Sequence, residues 1–215
     1  MFAVVSVITI FGISLGLTIP LIALVLDSQG YTPSAIGFHA SIQFLGIMLA
    51  SLVTPKLLKV LVTSRLIIIS MILMSGIFVS FAMSLGFMPW LFLRFFMGVI
   101  EGVIFIAAET WINQIAPHSK RGRVIGIYGT FLAGGIALGP LLLEITDIFN
   151  GNAFFLGAAI SILCLLILLV SGETPPRILD QKKRSVASIE YLNEQIAQTS
   201  YTEIKQELSS LIQQE

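Results

Sequence analysis

Charge of either sign is scarce in this chain, and positive charge is missing from particular places. Only 11% of the 215 residues are Asp, Glu, Lys or Arg, against 56% apolar. Mean hydropathy is +0.95. A water-soluble fold rarely carries that balance, whereas apolar stretches of about 20 residues indicate membrane spans. The net charge is zero, which removes a global electrostatic argument for nucleic-acid binding. Cysteine occurs once, at Cys164, so neither an internal disulfide nor a cysteine-based metal motif can form. Histidine occurs only at His39 and His118, and there is no HExxH pattern or phosphate-binding glycine loop. Gly12-Ile13-Ser14-Leu15-Gly16 spells the G-x-S-x-G hydrolase pattern, but that motif needs a strand–turn–helix elbow and a histidine partner. Here it lies inside a long apolar stretch. No enzyme, cofactor or metal is expected.

What is present is six apolar stretches, at about residues 2–26, 35–53, 66–88, 90–112, 124–143 and 153–171. As helices rising about 1.5 Å per residue, each reaches or nearly reaches across a ~30 Å hydrocarbon core. The first lacks a small-residue cleavage site followed by a polar region, so it reads as a retained span rather than a removed signal. Lys56, Lys59 and Arg65 follow the second span, and Lys120, Arg121 and Arg123 the fourth. Arg177, Lys182, Lys183, Arg184 and Lys205 follow the sixth. The alternate gaps contain no Lys or Arg. Positive residues flanking spans stay cytoplasmic, which predicts six crossings with both termini inside, in the plasma membrane of a bacterium. The expected division is a bundle over 1–172 and a cytoplasmic segment over 173–215.

The exception is Arg94, which lies within span four together with Glu101. The two are seven apart, on nearly the same helix face and about 10 Å apart along the axis. A charge at membrane depth costs about 2.5 to 3.5 kcal/mol on insertion scales and usually faces a cavity or a partner. Glu101, near the midplane, is a candidate proton-coupling site, and Arg94 a candidate contact for an anion or carboxylate. The structural alternative is an internal pair or a hydrogen-bonded helix contact. His39 and Gln43 are four apart and share a face of span two. They either line a cavity or bond between helices. Trp111 reads as an interfacial anchor. Gly12/Gly16, Gly98/Gly102 and Gly135/Gly139 are small-xxx-small pairs that permit close helix approach. Pro140 can kink span five, as a hinge or as a fixed bend.

Several short patterns converge in order. Gly30-Tyr31-Thr32-Pro33-Ser34-Ala35-Ile36-Gly37 enters span two, Arg94 is followed by Gly98 and Gly102, Lys120-Arg121-Gly122-Arg123 opens span five, and Gly135 precedes Gly139-Pro140. Over about residues 1–175 the chain resembles the amino-terminal six-helix half of a major facilitator superfamily transporter, of a drug/proton antiporter-like or other bacterial branch. The resemblance implies an all-α membrane protein whose six helices form a 3+3 inverted repeat. It implies alternating-access transport of a small solute, one chain supplying one half. It also implies a cytoplasmic charge network around Glu109, with Lys56, Arg65, Arg121 and Arg123 as its cations. Pro55 stands where the family usually has an aspartate, and span five lacks the glycine pair that often follows Gly-Pro.

The expected partners are the lipid bilayer, a solute, and a second half. The chain is either a piece of a longer protein or a half that pairs with another chain, including a second copy. Without that half, the polar face carrying Arg94, Glu101 and His39 is expected to need covering. The alternative from another class is a non-transporting scaffold or regulator that works through its tail. There Ile189, Leu192 and Ile196, then Ile204, Leu208 and Leu211, repeat at helical spacing, with Ser200 and Glu203 as a capping box. That tail reads as two short amphipathic helices, serving as a linker or a partner-binding element, and Lys182, Lys183 and Arg184 suit anionic headgroups.

Overall fold

The computed structural model describes residues 2–83, 86–146 and 150–172, and positions 189, 191, 193 and 196 of the tail. Among the described residues the secondary structure is helical: α1 (Phe2–Ser28), α2 (Pro33–Val60), α3 (Thr63–Met83), α4 (Phe87–Ile115), α5 (Arg121–Glu144) and α6 (Asn152–Ser171), with a short 3-10 turn at His118–Lys120. All six are long and apolar enough to cross a membrane. Most are longer than their apolar stretches. α2 runs through Pro55 to Val60 instead of ending at 53. Proline removes one hydrogen bond and can bend a helix without stopping it. Lys59 in the last turn favours the C-terminal dipole there. At the other end Thr32 is the N-cap, accepting from the Ala35 N–H at 3.3 Å, with Pro33 in the first turn. α4 begins at Phe87, after Gly86 with φ +120°, so Pro89 lies in its first turn rather than ahead of it.

α1 packs chiefly on α5, and α4 chiefly on α2; α6 lies beside α1, and α3 beside α4. That arrangement exchanges α1 with α4, α2 with α5 and α3 with α6. Burial follows the same exchange at constant spacing. Val4, Ile8, Phe11, Gly12, Gly16 and Leu17 of α1 fall in step with Trp90, Arg94, Met97, Gly98, Gly102 and Val103 of α4, all buried. His39, Gly46 and Ala50 of α2 match Tyr128, Gly135 and Gly139 of α5. Ser64, Ile67, Met71, Met74 and Phe78 of α3 match Phe154, Gly157, Ser161, Cys164 and Leu168 of α6. The two three-helix units thus bury the same faces, as an inverted repeat requires.

Two glycine seams hold the units together. A side-chain carbon at Gly12 or Gly16 would meet backbone of Leu132 to Ile136, and one at Gly139 would meet backbone of Gly16 and Leu17. In the equivalent α2–α4 seam, a carbon at Gly98 would meet the Gln43 carbonyl, and one at Gly46 the backbone of Phe95 and Val99. Only glycine allows backbones this close. Trp111 is buried, not an interfacial anchor.

The chain forms two compact units, Met1–Pro175 and Pro176–Glu215. In the second, the described positions 189, 191, 193 and 196 are helical. The expectations for Leu192, Ile204, Leu208, Leu211, the Ser200–Glu203 cap and the Lys182–Arg184 cluster lie outside the described residues.

Candidate functional site

The glycine seams fix which side chains meet. Gly98 against Gln43 sets the register of α4 on α2, bringing the level of His39 and Gln43 to that of Arg94 and Gly98. On α1, Gly12 and Gly16 face α5. Ser14 lies two residues from each, which at about 100° per residue turns it to the opposite side, toward α4.

These constraints converge on Glu101, halfway along α4 and fully buried. Gln43 Nε2 donates to Glu101 Oε2 at 2.5 Å, and Ser14 Oγ donates to Oε1 at 3.4 Å. Both donors come from other helices, so the carboxylate ties α1, α2 and α4 together at mid-depth. Thr18, one turn beyond Ser14, donates to the Ser14 carbonyl at 2.7 Å. Arg94 is also buried, with 2% of its surface exposed, yet its Nε has no partner, and no ion pair joins it to Glu101 among the described residues. His39 is fully buried with both ring nitrogens unpartnered. Its ring lies edge-on to Phe87, centroids 5.3 Å apart, and Phe87 lies against Tyr31 at 5.0 Å. Gln43 Oε1 is unpartnered as well.

One sequence expectation changes here. Arg94, Glu101 and His39 do not present a polar face that a partner must cover, because α1 and α2 of the same chain bury it. Ser14, discounted as a hydrolase motif, is a direct partner of Glu101. Its position between two seam glycines was the available signal. Tyr128, buried with an unpartnered hydroxyl at the position equivalent to His39, carried no signal beyond the repeat itself.

The charge-network residues lie apart from this cluster. Glu109, Lys56, Arg65, Arg121 and Arg123 are all exposed. Among the described residues no ion pair joins Glu109 to any of them. Arg121 Nη2 donates to Asn113 Oδ1 at 3.0 Å, and Asn113 Nδ2 donates to the Glu109 carbonyl at 2.8 Å. The contact from α5 to α4 at this end therefore runs through an amide. Gly98, Gly102, Gly135 and Gly139 occupy the seams, and Pro140 is exposed within α5.

The Major Facilitator Superfamily profile matches residues 4–210, nearly the whole chain. The chain belongs to the Major Facilitator Superfamily. It is a multi-pass membrane protein of that transporter family. Among curated relatives, it is 25% identical over 186 residues to the uncharacterised MFS-type transporter YfkF of Bacillus subtilis (strain 168), a match covering 86% of this chain and 47% of that protein. An uncharacterised MFS-type transporter of Enterobacter sp. (strain 638) is 27% identical over 109 residues, covering 51% and 28%. Among solved structures, the inward-open xylose transporter XylE of E. coli superposes with a TM-score of 0.68 at 17% identity, over 97% of this chain and 56% of that one. A crystal structure of a D-xylose-proton symporter gives 0.64 at 17% identity, over 88% and 52%. At that identity the likeness shows the fold alone. The chain spans about half the length of YfkF and of the two solved structures.

Proposed function

We propose that this superfamily chain supplies the amino-terminal half of an alternating-access transporter for a small solute, with Glu101 as its proton-coupling group. The observation that carries the reading is a carboxylate fully buried at the centre of α4 and held by donors from two other helices. The equivalent position on α1 is Leu15, which is only half-buried, so the repeat itself does not require a carboxylate there. A buried ionisable group at membrane depth is costly and marks function by default. A proton arriving at Glu101 changes the bonds to Gln43 and Ser14 at once, so it acts on the contacts among α1, α2 and α4.

The second half is proposed to cover α2 and α5, which bury the least of the six helices. Phe44, Met48 and Leu52 of α2 and Phe131, Leu138 and Leu141 of α5 are exposed. That half is a further segment, a partner chain or a second copy. A parallel second copy reproduces the relation between transporter halves, an axis along the membrane normal. The location is proposed as a bacterial plasma membrane with both termini cytoplasmic, from the one-sided Lys and Arg. A cytoplasm-dependent reporter should be active when fused at Glu215 and silent when inserted at Gln29; the reverse pattern sinks this topology.

The functional test uses everted membrane vesicles containing the protein with its second half. Solutes are screened for collapse of an imposed pH gradient, read with a pH-quenched dye. Wild type should respond to at least one solute and Glu101→Gln to none. An unchanged Glu101→Gln response removes Glu101 from coupling. A stable monomer that moves no solute would favour the scaffold reading.

A further inference from the structure

Gln43 and Ser14 are the side chains that hold Glu101, and Gln43 makes the shorter bond. A carboxylate only accepts hydrogen bonds, whereas a protonated carboxyl must also donate one. In this structure the amide presents Nε2 to Glu101 Oε2 at 2.5 Å, the arrangement a carboxylate requires, while Gln43 Oε1 is buried and unpartnered. A half-turn of the amide exchanges the two atoms. It needs no space that the side chain does not already occupy. We infer that Gln43 is a positioning residue whose amide reverses when Glu101 takes a proton, so that the α2–α4 seam registers the charge on α4. The inference rests on the reading of Glu101 as a proton site.

The change is balanced in hydrogen bonds. A proton from solvent adds to Glu101 Oε2, and the resulting O–H donates to Gln43 Oε1. Nε2 turns to the place Oε1 has left. His39, one turn away on the same face of α2, also has two unpartnered ring nitrogens. Ser14 follows without strain, because a hydroxyl both donates and accepts. Its bond is the longer one, 3.4 Å. Among the described residues, the buried charged or titratable groups on the helices that hold Glu101 are Arg94 on its own helix and His39 on α2; α1 presents Ser14 and Thr18, neither of which titrates. A hydrogen bond to an ionised group is about twice as strong as a neutral one. Protonation therefore loosens the tie between α2 and α4 while keeping it satisfied. The glycine contacts at Gly46, Gly98 and Gly102 leave the backbones touching, so the amide is the adjustable part of this seam.

Infrared difference spectroscopy on the purified full chain, low pH minus high pH, tests this. The expected wild-type spectrum has a carboxylic C=O band from Glu101 together with a glutamine amide C=O band moved to lower frequency as Oε1 becomes an acceptor. Glu101→Gln should lose both features. Gln43→Met, close in volume and without an amide, should keep the carboxylic band but move it to higher frequency, because the acceptor is gone. A Glu101 band with no amide change in wild type overturns the inference and leaves the proton site standing. So does an amide feature that persists in Glu101→Gln, a result that needs no Gln43 variant to fold. A folded wild type with no Glu101 band at any pH overturns both.

Discussion

The α1–α5 and α2–α4 seams are two copies of one backbone solution with different contents. Each is held by glycines whose replacement would drive a side chain into the facing backbone. Each buries matching positions along its helices. In the α1–α5 seam the residues equivalent to Arg94, Glu101 and Gln43 are Ile8, Leu15 and Leu132. At Leu15 and Leu132 that copy is only half-buried, whereas Glu101 and Gln43 are fully buried, so the polar side chains sit in the more enclosed of the two seams. A buried charge with no ion pair among the described residues, as at Arg94, is a cost that its buried counterpart Ile8 does not carry.

The largest expected effect removes what the seams share. Gly98→Val and Gly139→Val each place branched carbons where the facing backbone already lies, at Gln43 and at Gly16. Overpacking typically costs 1–3 kcal/mol, and more where backbone must move. Folded yield in detergent, read by size-exclusion chromatography, should collapse for both. Collapse in one seam only would mean that the seams are not equivalent. Next is Glu101→Leu, which strands the Gln43 amide and the Ser14 hydroxyl. Leaving buried polar groups unmade costs about 1–3 kcal/mol each, so the unfolding midpoint should fall well below that of Leu15→Ala, its counterpart on α1.

Arg94→Met sharpens the contrast in the other direction. Replacing a buried charge that has no ion pair among the described residues by an apolar side chain of similar length should stabilise by about 1 kcal/mol or more. The same variant should lose transport, the expected trade between stability and function. A lowered midpoint would show that Arg94 has a structural partner. The smallest effect is Ser14→Ala. Its bond to Glu101 is long at 3.4 Å, and a typical net hydrogen bond contributes about 0.5–1.5 kcal/mol. A midpoint shift at the low end of that range is expected.

The sequence made the number and order of the spans legible because hydropathy is a property of single segments. It also marked Gly98, Gly102, Gly135 and Gly139, since small residues four apart have few other uses in an apolar helix. It did not mark helix ends. An apolar stretch ends where side chains turn polar, whereas α2 continues past Pro55 as long as its backbone bonds are satisfied. Nor did it pair side chains between helices. Ser14 meets Glu101 only because the glycine seams set the rotation of α1 and the register of α2 against α4. The exposed end shows the same limit: cations were counted near Glu109, but Arg121 bonds to Asn113. Counting charge gives a neighbourhood, and geometry chooses the partner.

The most direct measurement is proton binding by the purified protein, titrated over the pH range in which it stays folded, for wild type and for Glu101→Gln. The account predicts that wild type binds one more proton per chain than the variant, with the difference curve unchanged when Leu15 is replaced by Ala. Superimposable wild-type and Glu101→Gln curves would contradict it, leaving Glu101 as a structural carboxylate bonded to Gln43 and Ser14.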